Sequence, residues 1–145
     1  GCCALMLGFA EPSIPQLSWQ AALVREADIS WVSVNSSKPG RAAACSVVVH
    51  STNAYAEASL DDAPASVQAH MLNELQAVTG IDPALAEHCM LHRWRYANTP
   101  QQEGPPALLD PSNKLGACGD WLIHGRVEAA FLSAKELAAS VRELL

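Results

Sequence analysis

The chain has 145 residues, half of them apolar, which is long enough for one domain with a sizeable core. Its net charge of −6 and the lack of any basic run argue against nucleic-acid or anionic-membrane partners. Five cysteines without regular spacing do not describe a disulfide framework, which favours reduced thiols and a cytoplasmic location. The apolar opening, GCCALMLGFA, is too short for a membrane span and has no positive residues before it.

The first third of the chain predicts an antiparallel sheet. Short apolar or alternating runs bounded by turn residues predict strands over Cys2 to Phe9, Trp19 to Val24, Ile29 to Asn35 and Cys45 to His50. Short connections between successive strands are typical of antiparallel pairing. The third connection contains Asn35, Lys38 and Arg41 around the turn signal Pro39-Gly40, and its cations fit a solvated hairpin.

One amphipathic helix is expected next. Asp61 or Asp62 is suited to cap it, Pro64 fits its first turn, and Gly80 ends it. Its apolar face consists of Val67, Met71, Leu75 and Val78. The helix is predicted to cover one face of the sheet, and His70 on it is interpreted as a surface or boundary residue.

Residues 86–97 predict a further strand with one aromatic face. Alternation places Trp94 and Tyr96 on that face, where they form either the wall of a ligand pocket or a cap on the core. His88, Cys89 and His92 have the residue types of a zinc site, but strand geometry puts the cysteine opposite the histidines. No metal site is therefore expected.

The segment from Asn98 to Asn113 is rich in Pro, Gln and Gly and is interpreted as a long surface connection. After it, alternation from Leu115 to Trp121 predicts a strand. A helix is predicted from Val127, with an apolar stripe formed by Val127, Phe131, Ala134, Ala138, Val141 and Leu145. The turn between them brings together Gly119, Asp120, Gly125 and Arg126, and a helix start of this kind attracts anionic or electron-rich atoms. An ordinary strand-turn-helix unit without a ligand would show the same pattern.

Three motifs in this chain resemble FAD-dependent amine oxidases and renalase-like flavin oxidoreductases. G-D-W followed by G-R-V-E-x-A-x-x-S resembles the closing motif of that family, and S-W-V-S-V-N-S-S-K-P-G-R and H-R-W-R-Y-A occur before it in the same order. The resemblance therefore covers nearly the whole chain. His124 and Ala134 depart from it, since the family often has glycine at both positions.

The resemblance implies an α+β fold with a substrate-domain sheet over residues 1–114 and a closing strand-helix element of a Rossmann-like FAD-binding domain over residues 115–145. It implies that Asp120, preceded by Gly119, contacts the ribityl or pyrophosphate part of FAD. The backbone from Gly125 through Arg126, Val127 and Glu128 would face the N1–C2=O edge of the flavin.

The resemblance also implies a substrate pocket near Asn35, Lys38, Trp94 and Tyr96. The expected activity is hydride transfer from an amine or a reduced-nicotinamide-type small molecule to flavin, with reoxidation by oxygen. Because the chain has no G-x-G-x-x-G turn, the ADP-binding half is expected outside it. The isolated chain is then expected to be inactive, to hold FAD weakly or not at all, and to form homodimers through the uncovered surface. The alternative is a non-catalytic binding or assembly module that presents Trp94 and Tyr96 to a partner.

Overall fold

The computed structural model describes residues 1–10, 17–41, 45–100 and 102–144. They form two compact units, Gly1–Arg95 and Tyr96–Leu145. The division falls earlier in the chain than the predicted boundary between residues 114 and 115. The segment after Tyr96 belongs with the C-terminal part because the Gln102 N–H donates a hydrogen bond to the Ile123 carbonyl at 2.9 Å.

A five-stranded antiparallel sheet forms the basis of the first unit, which confirms the α+β class and the antiparallel sheet. The strands are β1 (Cys2–Phe9), β2 (Ala21–Leu23), β3 (Ile29–Val34), β4 (Cys45–Ser51) and β5 (Ala86–Trp94). Their spatial order is β2-β3-β4-β1-β5, so the continuous apolar run of β1 lies inside the sheet. Both β2 and β5 end earlier than predicted, and Tyr96 is not part of β5.

Helices cover one face of this sheet. They are α1 (Asn53–Ala58) and α2 (Pro64–Thr79), and 3-10 turns occupy Asn35–Ser37 and Pro83–Leu85. As predicted, α2 buries Val67, Met71 and Leu75 in the same cluster as Leu5 and Leu7 of β1, whereas Val78 of the predicted face is exposed. Gly80 ends α2 in the left-handed conformation, also as predicted. The predicted aspartate cap is wrong, because Ala63 precedes the helix without a side-chain hydrogen bond.

The opposite face of the sheet carries side chains that remain accessible, and we call it the open face. Residues directly opposite each other in neighbouring strands share a face. The register pairs Ala4 with both His50 and His92, and it pairs His50 with Trp31. The larger side chains of the open face are Met6, Leu23, Trp31, Val48, His50, Met90, His92 and Trp94.

The second unit consists of a short hairpin followed by a helix. Its elements are β6 (Leu108–Asp110), β7 (Leu115–Ala117), a 3-10 turn (Asp120–Leu122) and α3 (Val127–Arg142). The strand predicted from Leu115 to Trp121 therefore ends early, and β6 lies inside the segment predicted as a connection. Lys114 adopts a φ of 55°, which lets the tight turn return the chain from β6 to β7.

The face that α3 buries is not the predicted apolar stripe. Ala129 and Ser133 are fully buried, whereas Val127 is 92% exposed and Phe131 is 67% exposed. The helix approaches the hairpin closely at Gly116, since a Cβ added to this glycine would lie only 2.9 Å from Leu137 Cδ1. Ala134, Ala138 and Val141 are also exposed, and Leu145 of the predicted stripe lies outside the described residues.

Two properties of the whole chain accompany this fold. All five cysteines are free thiols. Across the described ranges, no helix has the length and apolar character needed to cross a membrane.

Candidate functional site

Asp120 lies at the turn between β7 and α3, where the sequence predicts a cofactor contact. It begins the 3-10 turn, which is fixed by hydrogen bonds from the Leu122 N–H to the Gly119 carbonyl and from the Ile123 N–H to the Asp120 carbonyl. The Asp120 side chain is half-buried. Within the described part of the chain, its carboxylate has no hydrogen bond or ion pair, so it can accept hydrogen bonds from a ligand.

A buried serine holds this turn against α3. The Gly119 N–H donates to Ser133 Oγ at 2.9 Å, and the Ser133 hydroxyl donates to the Pro106 carbonyl. A Cβ on Gly119 would lie 2.5 Å from Nε1 of Trp121, so the indole occupies the space that any side chain there would need. Ser133 therefore positions the backbone of Asp120 indirectly, a role that the sequence did not predict although this serine ends the motif G-R-V-E-x-A-x-x-S.

The start of α3 has no side-chain cap. Arg126 precedes the helix in an extended conformation. The Gly125 N–H donates to the Thr99 carbonyl at 3.4 Å and the Arg126 N–H to the His124 carbonyl at 2.6 Å. The sequence pattern predicts free backbone N–H groups at Gly125 and Arg126, and these two bonds show that this prediction is wrong. Among the described residues, the amides of Val127 and Glu128 have no partner, as is usual in the first turn of a helix.

A cleft of about 490 Å³ lies beside this helix start. Its lining consists of Asn98, Thr99, His124, Gly125 and Arg126. Cationic and hydrogen-bonding groups thus meet the positive end of the α3 dipole, which suits an anionic or electron-rich oxygen. A Cβ on Gly125 would lie 3.2 Å from the Thr99 backbone N, so glycine permits this close approach. Asn98 and Thr99 were missed because their segment has the composition of a surface connection.

The two predicted aromatic residues lie in different units. Trp94 ends β5 on the open face, is 56% exposed, and contacts the His92 ring with centroids 4.2 Å apart. Tyr96 belongs to the second unit and is 92% exposed. Neither ring caps the core, so that interpretation is wrong, and the continuous aromatic strand face that includes Tyr96 is not formed. Cys89 lies on the opposite face of β5 from His88 and His92, as predicted.

Lys38 directly follows the 3-10 turn Asn35–Ser37, and its charge acts on a histidine of the open face. Burial lowers the pKa of the His50 imidazole, and the Lys38 charge lowers it further. Asn35 is half-buried and begins the 3-10 turn that leads to Lys38. His50 was missed as a site residue, although the alternation in CSVVVH already places it on the same face as Ser46 and Val48.

No known protein family matches the sequence of this chain. Among the described residues, two of the places predicted from the sequence keep the chemistry of a ligand site, and each lies within one unit. They are the uncapped start of α3 with Asp120, and the open face with Lys38, His50 and Trp94.

Proposed function

We propose that this chain forms the substrate-side sheet and the closing helix of an FAD-dependent oxidoreductase similar to the renalase and amine-oxidase group. The observation that carries the proposal is the start of α3, where unpartnered amides lie close in sequence to the unpartnered carboxylate of Asp120. Unpartnered amides are usual at a helix start, so the proposal depends on the carboxylate that lies close to them in sequence. A polar cleft of about 490 Å³ is lined by Gly125 and Arg126, the two residues that directly precede α3.

The amides of Val127 and Glu128 have a direct chemical role in this proposal. A bound flavin supplies two-electron chemistry, accepting hydride from the substrate and returning the electrons to molecular oxygen. Partial positive charge at the helix start stabilises negative charge that develops on a bound ring carbonyl. The amides are fixed by the helix itself, so they need no reorganisation when that charge appears.

Asp120 orients the chain of hydroxyl groups that such a cofactor carries. A carboxylate accepts hydrogen bonds from hydroxyl groups, and these charge-assisted bonds are stronger than neutral ones. The bond from Gly119 to Ser133 holds the backbone beside Asp120, so the backbone that carries the carboxylate has a defined position before any ligand arrives. Preorganisation of this kind lowers the entropic cost of binding.

The open face is the proposed wall for the substrate, an amine or a reduced nicotinamide. Trp31, Met90 and Trp94 offer apolar and aromatic surface on which a flat molecule can stack. Lys38 provides a positive charge at the same face, and Asn35 begins the 3-10 turn that precedes Lys38. Tyr96, which the resemblance also assigns to the pocket, belongs to the second unit and is not part of this wall.

The proposal requires an ADP-binding portion from outside this sequence, because the chain contains no G-x-G-x-x-G turn. The exposed apolar side chains of Val127, Phe131 and Val141 support this, since they offer a surface for another part of the protein to cover. In the isolated chain the same surface favours homodimers. Free thiols support a cytoplasmic location.

The test uses the protein encoded by the complete gene, purified with its flavin. We expect Asp120→Ala to lower the FAD released on denaturation by at least about tenfold, since it removes a charge-assisted contact. Asp61→Ala, at an exposed aspartate in the first unit, is the matched control. Equal FAD content in Asp120→Ala and the parent protein would contradict the assignment.

The second candidate function is a non-catalytic binding module, favoured by the high exposure of Trp94 and Tyr96. It predicts a complete protein without flavin and a partner whose binding is lost on Trp94→Ala. A flavin-loaded protein would exclude it.

A further inference from the structure

Three side chains with metal-ligating atoms converge in the first unit, at a place unrelated to the flavin proposal. One ligand atom from each of Asp28, His70 and Glu74 lies within 4.8 Å of the other two. Asp28 lies between β2 and β3, whereas His70 and Glu74 belong to α2. The sequence did not predict this cluster, because its members are brought together only by the packing of α2 against the sheet.

The spacing of His70 and Glu74 in α2 explains why these two of the three residues lie together. Residues four apart in a helix lie on the same side, one turn from each other. Asp28 reaches the same place from the sheet, with its Oδ2 2.8 Å from His70 Nε2. An imidazole nitrogen and two carboxylates therefore point at one volume.

Contacts outside the cluster hold Asp28 and His70 in place, and the Asp28 backbone holds Glu74. The Asp28 N–H donates to Glu74 Oε2 at 2.9 Å, and the Asp28 carbonyl accepts from the Thr52 N–H at 2.7 Å. The ring of His70 stacks on Tyr55, with centroids 4.7 Å apart and planes 17° from parallel. Contacts that fix the orientation of ligating side chains are typical of metal sites.

The cluster combines access with excess negative charge. The side chains of His70 and Asp28 are 41% and 49% exposed, so an ion can enter from solvent. Among the described residues, no lysine or arginine pairs with Asp28 or Glu74, and His70 is the one basic group in contact with them. A divalent cation would neutralise two carboxylates that otherwise lie close together.

We propose that Asp28, His70 and Glu74 bind one zinc ion, with water as the fourth ligand. Imidazole and carboxylate donors suit zinc, which prefers tetrahedral geometry with bond lengths of about 2.0–2.2 Å. Those lengths place neighbouring ligand atoms roughly 3.3 Å apart. The atoms of Asp28 and His70 need to separate slightly from their 2.8 Å hydrogen bond, which side-chain rotation at a half-exposed site permits. The bound ion would fasten the β2–β3 turn to α2.

The experiment titrates the metal-free 145-residue chain with zinc chloride by isothermal calorimetry. We expect one saturable site per chain and a rise in the unfolding temperature, because the ion binds the folded state preferentially. His70→Gln and Glu74→Gln should each weaken binding by at least about tenfold. His92→Gln removes a histidine from the open face and should leave binding unchanged.

The variants also separate this site from binding at thiols. Cys89 and Cys118 are exposed and remain in every variant, so any zinc they bind appears equally in His70→Gln. Glu74→Gln keeps an oxygen that accepts from the Asp28 N–H. If circular dichroism shows that His70→Gln does not fold, Glu74→Gln alone tests the zinc site. No saturable binding in the parent chain, or equal affinity in the parent and in the folded variants, would overturn the proposal.

Discussion

The two units of this protein differ in how they are held together. The first buries large apolar side chains from both sheet and helices, including Leu5, Ile29, Met71, Leu75 and Ile81, all at most 1% exposed. The second buries Leu122, Ala129 and Ser133 and leaves Val127 and Phe131 on its surface. Apolar burial dominates folding stability, so the first unit is the stable one. The second depends more on close backbone approach and on a few polar contacts, and it carries the proposed cofactor turn.

The largest effect should come from removing a core side chain of the first unit. Leu5→Ala leaves a cavity between the sheet and α2 and should lower the free energy of unfolding of that unit by about 2–5 kcal/mol. Urea unfolding measures it. Leu23→Ala on the open face is the control and should cost less than about 1 kcal/mol, because Leu23 is exposed. Similar losses in both variants would contradict the described core.

A smaller effect is expected from removing the polar contact that fastens the turn of the second unit. Ser133→Ala leaves the Gly119 N–H and the Pro106 carbonyl without their partner and should cost that unit about 1–3 kcal/mol. Hydrogen exchange at the Gly119 amide should accelerate. Ser140→Ala is the control, because Ser140 lies on the same helix and its hydroxyl has no hydrogen-bond partner among the described residues. Unchanged exchange in Ser133→Ala would show that the serine does not hold the turn.

The smallest effect concerns the pH dependence of the first unit. The pKa of His50 in the folded state lies below the value in the unfolded chain, about 6.5, because the imidazole is buried and near Lys38. The unfolded state then binds more protons. The contribution of the neutral imidazole to stability is therefore complete above about pH 6.5 and is lost as the pH falls through the folded-state pKa. The unfolding temperature should fall less steeply with acid in His50→Gln. An identical acid profile in both proteins would contradict the shift.

Lys38→Gln tests the lowered pKa of His50 further, because it removes the weaker of its two causes, the lysine charge. The pKa of His50 should rise in that variant but remain lowered, since burial is the larger cause. A titration of the His50 ring signals by NMR measures both values. A His50 pKa that does not change in Lys38→Gln would place the lysine away from the open face.

Much of the first unit could be predicted from the sequence because its signals are local. The apolar run of β1 and the spacing, proline and glycine of α2 define those elements without reference to the rest of the chain. The register then follows from alternation, which is why His50 could have been placed on the open face beside Val48.

The second unit was predicted less well because its sequence patterns are compatible with more than one buried face. An apolar stripe on α3 is visible in the sequence, but which face is buried depends on the partner, and α3 buries Ala129 and Ser133 instead. Contacts between distant residues, such as Gly119 with Ser133 or Asp28 with His70, leave no periodic signal. Tyr96 alternates correctly with Trp94, yet β5 ends between them.

The central claim is that the first amides of α3 hold the electron-rich edge of a flavin ring. The most direct measurement is a two-dimensional NMR titration of the isotope-labelled protein encoded by the complete gene with FAD, because the isolated chain is expected to hold FAD weakly or not at all. We predict the largest amide shifts at Val127, Glu128 and Gly119, and their loss in Asp120→Ala but not in Asp61→Ala. No shifts at these amides when FAD is saturating, or larger shifts on other elements, would contradict the account.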